Sequence, residues 1–139
     1  MKVMTLLGTR PEIIRLSRII PLLQQHCDLT IVDSGQCFDY EMSGVFYHEL
    51  GYDPGPAYRL SAGGGSFGEQ MGKMFPALEK VLQMVEPDKV VVLGDTNTSL
   101  STIVARRMGI AIYHLEAGNR CFNGDSPEEV NRSIIDHCV

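Results

Sequence analysis

Short uninterrupted apolar runs alternate along this chain with longer segments whose apolar residues recur every three or four positions. The runs KVMTLL (residues 2–7), 29–32, KVVVL (89–93) and 110–113 predict strands buried on both faces, as a parallel sheet requires. A helix is predicted from Pro11, with Ile13, Leu16, Ile20 and Leu23 on one face and Pro21 kinking or shortening it. Residues 38–50 predict a second helix, closed by Gly51. Residues 52–65, rich in Gly and Pro, read as a loop with a brief strand at 57–60. Residues 67–85 predict a long helix with Met71, Met74, Leu78, Leu82 and Val85 along a core-facing side. Another runs from the Gly94-Asp95-Thr96 turn to about Met108 and is closed by Gly109. The last begins with Ser126 as N-cap, Pro127 at its first position and Glu129 completing a capping box, which leaves Glu128 free. Strands and helices joined by short connections predict one α/β domain over residues 1–139, a Rossmann-like open parallel sheet with helices on both faces.

Ligands of such sheets bind beyond the carboxyl ends of the strands. Four polar clusters fall there: Thr9-Arg10, Gly35-Gln36, Asp95-Thr96 and His114 to Glu116. The Gly8 to Pro11 turn is expected to leave backbone N–H groups free for an anion, with Arg10 adding a bidentate hold and Arg15 one turn further on. Glu116 at a strand end and Glu128 in a helix's first turn are expected to face one cleft. Each residue also has a plainer reading. Asp95 stands where an N-cap would, and Glu128 and Arg132 have the spacing of an ordinary helix ion pair. His114 reads equally as a satisfied strand-end histidine, and Gly8 to Pro11 as a tight turn with a solvated arginine. No GxGxxG follows any strand, which argues against a dinucleotide.

Composition narrows the classes. A net charge of −5 argues against a nucleic-acid surface, and no apolar run is long enough for a bilayer. The N-terminus lacks a signal-peptide cleavage pattern. The four cysteines have neither CxxC nor zinc-ligand spacing, so they read as free thiols of a reducing cytoplasm, and no metal is expected. The stop at Cys138-Val139, with no tail after the last helix, reads as a cut.

Taken together, GTRPEIIRL (8–16), GDTNT (94–98), HLEAGNR (114–120) and PEEVNR (127–132) resemble, in order and spacing, the non-hydrolysing UDP-N-acetylglucosamine 2-epimerase family. The resemblance covers the whole chain. RPEIIRLS, GQxxDYE and NRCF look most like the branch acting on UDP-2-acetamido-2,6-dideoxy-talose in UDP-N-acetyl-fucosamine formation.

The resemblance implies the N-terminal half of a GT-B-like two-domain fold, with the active site between the domains and the second domain absent here. It implies a cytoplasmic homodimer acting on a UDP-sugar with no cofactor and no obligatory metal. It implies inversion at C2 by elimination of UDP across C1–C2 and re-addition, for surface polysaccharide precursors. By motif, Asp95, Glu116 and Glu128 match the family's catalytic acids. Arg10, Arg15, Gln36, His114 and Arg132 are the expected substrate-binding residues. The usual TGQH-type stretch is Ser34-Gly35-Gln36-Cys37 here, which removes a histidine from the region that holds a regulatory UDP-sugar in bacterial members. A fragment of this kind is expected to be inactive alone. Two other readings remain, a hydrolysing epimerase that releases UDP and the free sugar, and a non-catalytic nucleotide-sugar or partner-binding module.

Overall fold

The computed structural model describes residues 1–36, 49 and 57–139. Strands β1 (Lys2–Leu7), β2 (Asp28–Asp33), β3 (Ala57–Arg59), β4 (Lys89–Leu93) and β5 (Ala111–Leu115) form one sheet in the order β3-β2-β1-β4-β5. Every neighbouring pair is parallel. Helices α1 (Arg10–Leu16), α2 (Ile19–His26), α3 (Phe67–Val85), α4 (Asn97–Leu100), α5 (Ile103–Arg107) and α6 (Pro127–Asp136) complete the described elements.

Because strand side chains alternate between faces, the sheet feeds two cores. Met4, Leu6, Val32, Val90 and Val92 pack with Met74, Leu78 and Leu82 of α3 and Ile135 of α6. Leu7, Ile31 and Leu93 pack on the other side with Ile13, Leu16 and Ile20. Thr5 is wholly buried between them and donates its hydroxyl to the Val91 carbonyl at 3.0 Å, so its polarity is satisfied. The predicted α/β architecture, with helices on both faces, is the observed one.

Two predicted helices are each two shorter ones. The helix from Pro11 breaks at Ser17-Arg18, because Pro21 has no N–H and its ring would clash with the carbonyl of Ser17. The helix after Gly94 breaks at Ser101-Thr102, where hydroxyls bond backwards: Ser101 Oγ to the Thr98 carbonyl and Thr102 Oγ1 to the Ser99 carbonyl, both at 2.6 Å. The predicted last strand extends to Leu115, so His114 belongs to β5 and not to the loop after it. The predicted helix at 38–50 lies outside the described residues apart from Glu49.

Strand β1 leads to β2 on one side, while its neighbour on the other side is β4. That reversal opens a crevice at the carboxyl ends of β1 and β4, the position where open α/β sheets bind ligands. The end of β1 is packed tightly: a Cβ on Gly8 would lie 1.9 Å from Ser34 Oγ and 2.6 Å from Thr98 Oγ1.

Candidate active site

Gly94 turns the chain out of β4 with φ +79, and Thr96 caps α4 by accepting from the Ser99 N–H at 3.2 Å. Asp95 is therefore not the cap, and its carboxylate is available elsewhere. It takes Arg132 of α6, with Nη2 2.5 Å from Oδ2. Asn131, one residue earlier, is buried and donates to the Asp95 carbonyl at 2.9 Å and to Asn97 Oδ1 at 3.2 Å, which docks α6 on this turn.

Glu116 follows β5 immediately and has φ +69, a left-handed conformation that costs a non-glycine residue roughly 1–2 kcal/mol. Its Oε1 meets Arg15 Nη1 at 2.7 Å, and its Oε2 lies 3.9 Å from Arg132 Nη2. Arg15, Glu116, Arg132 and Asp95 thus form a chain of alternating charge across the ends of β4 and β5. Such a row brings two carboxylates to one guanidinium at the carboxyl edge of the sheet.

The loop carrying Glu116 is held from behind. Asp136 accepts from the Gly118 N–H at 3.0 Å, pairs with Arg120 at 2.7 Å and faces His114 Nδ1 at 2.8 Å. Burial alone would raise the Asp136 carboxyl, but Arg120, the Gly118 amide and His114 together hold it below the ordinary aspartate range.

Glu12, almost fully buried, links the crevice walls. Its Oε2 accepts from the Gly8 and Thr9 N–H groups, each at 2.8 Å, and from the Thr9 hydroxyl at 3.0 Å. Its Oε1 accepts from the Thr96 hydroxyl at 2.6 Å. Burial raises its pKa above 4.5 against the lowering effect of these donors. Among the described residues no group of three or more His, Cys, Asp or Glu is placed to hold a metal ion.

A family model described as UDP-N-acetylglucosamine 2-epimerase matches residues 22–139. The chain belongs to that family. The UDP-N-acetylglucosamine 2-epimerase of Methanocaldococcus jannaschii is 47% identical over 99% of this chain, which spans 38% of that relative. The UDP-2,3-diacetamido-2,3-dideoxy-D-glucuronate 2-epimerase of Pseudomonas aeruginosa is 40% identical over 98% of this chain and 39% of its own length. The crystal structure of the Methanocaldococcus jannaschii UDP-GlcNAc 2-epimerase in complex with UDP-GlcNAc and UDP superimposes with a TM-score of 0.93 at 46% identity. That match covers 99% of this chain and 38% of that one, so the fold is the N-terminal part of a GT-B-like epimerase. The chain therefore spans well under half the length of these relatives.

Within this family domain, several sequence expectations need correction. Glu128, expected to share a cleft with Glu116, is exposed and makes its bond to Ser126 instead, accepting from that hydroxyl at 2.7 Å, which holds its carboxyl below the ordinary range. Glu129 does not complete a capping box; it reaches back to the Cys121 N–H at 2.8 Å, and that bond lowers its pKa. Ser126 makes no side-chain cap bond. Arg132 pairs with Asp95 and not with Glu128. His114 is not a substrate-facing group here: its side chain is 0% exposed, with Nε2 2.6 Å from the Gly94 carbonyl and Nδ1 on Asp136. The Gly8 and Thr9 amides, expected to be open to an anion, are occupied by Glu12.

Gln36 lies at the end of β2, where its Oε1 accepts from the Thr98 hydroxyl at 2.9 Å. Arg10 is half-buried at the first position of α1, on the same rim. Sequence reasoning missed Glu12, Asn131 and Asp136. Only Glu12 had a local signal, the T-x-x-E spacing of Thr9 to Glu12.

Proposed function

We propose that this chain supplies the N-terminal wall of the active site of a UDP-2-acetamido-sugar 2-epimerase. The observation that carries the reading is the Arg15–Glu116–Arg132–Asp95 row at the sheet's switch-point crevice. The reaction removes the C2 hydrogen as a proton to a carboxylate while the C1–O bond breaks and its electron pair leaves with UDP. Return of a proton to the opposite face of C2, with attack of the UDP oxygen on C1, completes the inversion. In this reading Asp95 and Glu116 are the carboxylates that make these transfers, and Glu128 joins them after its carboxylate leaves Ser126. Arg10, Arg15, Arg132 and Gln36 form the rim that meets the substrate. Other groups come from the portion of the relatives that this chain does not span.

UDP-N-acetylglucosamine is the first substrate to test, since the names of the similar epimerases support it. The 6-deoxy-talose branch, read from RPEIIRLS and NRCF, is the finer alternative. A homodimer is proposed through α3, on which Phe67 is 56% and Met84 64% exposed. A cytoplasmic location is proposed with it; among the described residues no helix is long and apolar enough to cross a membrane.

The test is turnover of UDP-N-acetylglucosamine by a longer protein that joins this chain to the portion of a relative that it does not span, followed by NMR with the 139-residue chain beside it. Interconversion with the C2 epimer, solvent deuterium at C2 and no turnover by the short chain are expected. Accumulation of UDP and free sugar would establish the hydrolysing reaction, and absence of any turnover by the longer protein would defeat the proposal.

A further inference from the structure

We propose that the Glu12 side chain fills the backbone-amide pocket of the Gly8–Thr9 turn and so excludes phosphate from it. A glycine-containing turn between a strand and a helix is where many α/β domains receive a phosphate, because its amides point outward together. Here both amides converge instead on one carboxylate oxygen, at 2.8 Å each.

Every described contact on that carboxylate comes from a donor. The two amides can only donate. Thr96 Oγ1 accepts from the Ser99 N–H and gives its own hydrogen to Glu12 Oε1. An acceptor-only carboxylate satisfies this set, and at 1% exposure it leaves no room for a second anion. A phosphate entering the turn would have to displace this side chain from both amides. The same side chain closes the crevice by joining the turn after β1 to the turn after β4, across an 84-residue separation.

The consequence is specific. Phosphate groups of any ligand in this cleft are held by groups other than the turn's amides. The inference rests on the nucleotide-sugar reading only for the identity of the natural ligand, since inorganic phosphate probes the pocket directly.

The experiment is a titration of the nitrogen-15-labelled 139-residue chain with inorganic phosphate and, separately, with UDP, following the Gly8 and Thr9 amide resonances. In the wild type, and in Glu12→Gln, whose amide oxygen can still accept from the turn, these two resonances should stay still. In Glu12→Ala both should shift saturably with phosphate. Saturable movement of the wild-type amides with phosphate or UDP overturns the proposal, as does a folded Glu12→Ala whose amides ignore phosphate. If Glu12→Ala fails to fold, the wild-type and Glu12→Gln titrations decide the matter. UDP shifts confined to other residues leave the exclusion intact and separate it from the question of catalysis.

Discussion

Arg132 reaches from α6 to Asp95, thirty-seven positions earlier in the chain, and the same nitrogen lies 3.9 Å from Glu116 Oε2. One guanidinium therefore restrains both carboxylates of the site. Arg132→Met removes the guanidinium, and with it both contacts, while keeping an unbranched apolar stem. With side chains only 14% and 24% exposed, breaking the Arg132–Asp95 pair should cost about 1–3 kcal/mol. Urea unfolding of the two chains measures it; equal midpoints would show that the pair is not holding α6 to the Asp95 turn.

The Arg15–Glu116 pair should behave differently. Its side chains are 55% and 28% exposed, so solvent screening limits its value to about 0–1 kcal/mol. Under the proposed function, Arg15→Ala is expected to leave unfolding nearly unchanged while lowering epimerisation by this chain joined to the portion of a relative that it does not span. A large stability loss with intact turnover would reverse this assignment.

Gly8→Ala should be among the most damaging small substitutions. The added methyl would sit 1.9 Å from Ser34 Oγ, and its second neighbour, Thr98 Oγ1, is itself held in a 2.7 Å bond to Ser34. Forcing the two hydroxyls apart should cost about 1–3 kcal/mol. Thermal unfolding tests it, with Gly68→Ala as control because nothing lies within 4 Å of that position.

Asp136→Asn should loosen the loop bearing Glu116. It removes the charge that Arg120 and the Gly118 amide share and disturbs the contact to buried His114. A loss of about 1–3 kcal/mol is expected, together with faster hydrogen exchange at Gly118. Unchanged exchange there would mean that Asp136 does not anchor the loop.

Glu12 carries a definite pH signature. Burial raises its folded pKa above the ordinary 4.5, so its stabilising contribution is complete below the unfolded value and is lost as pH rises through the folded one. The stability of the wild type relative to Glu12→Gln should therefore fall as pH rises above 4.5. Asp136, lowered from 3.8, works in the opposite sense: its contribution is present above that value and is lost as pH falls through the folded pKa. Denaturation of wild type, Glu12→Gln and Asp136→Asn at several pH values separates the two. A flat wild-type minus Glu12→Gln difference would contradict the Glu12 assignment.

The parallel sheet, the 67–85 helix and the placing of Asp95, Arg10 and Glu116 at strand ends were all legible in the chain itself. Apolar periodicity, Gly and Pro are local features, and burial on a sheet rewards them wherever they occur. The partners of the charged groups were not legible in this way. Glu128 and Arg132 have the spacing of a pair, yet Arg132 finds Asp95 and Glu128 finds Ser126. Glu129 leaves its helix for Cys121, and the hydroxyls of residues 96–102 divide a helix that periodicity reads as continuous. A carboxylate or guanidinium takes whichever partner offsets its desolvation, and here those partners lie as far as 101 positions away. Sequence alone determined which residues stand at the rim of the sheet; folding decided which of them meet, because only the packed crevice brings those distant charges within bonding distance.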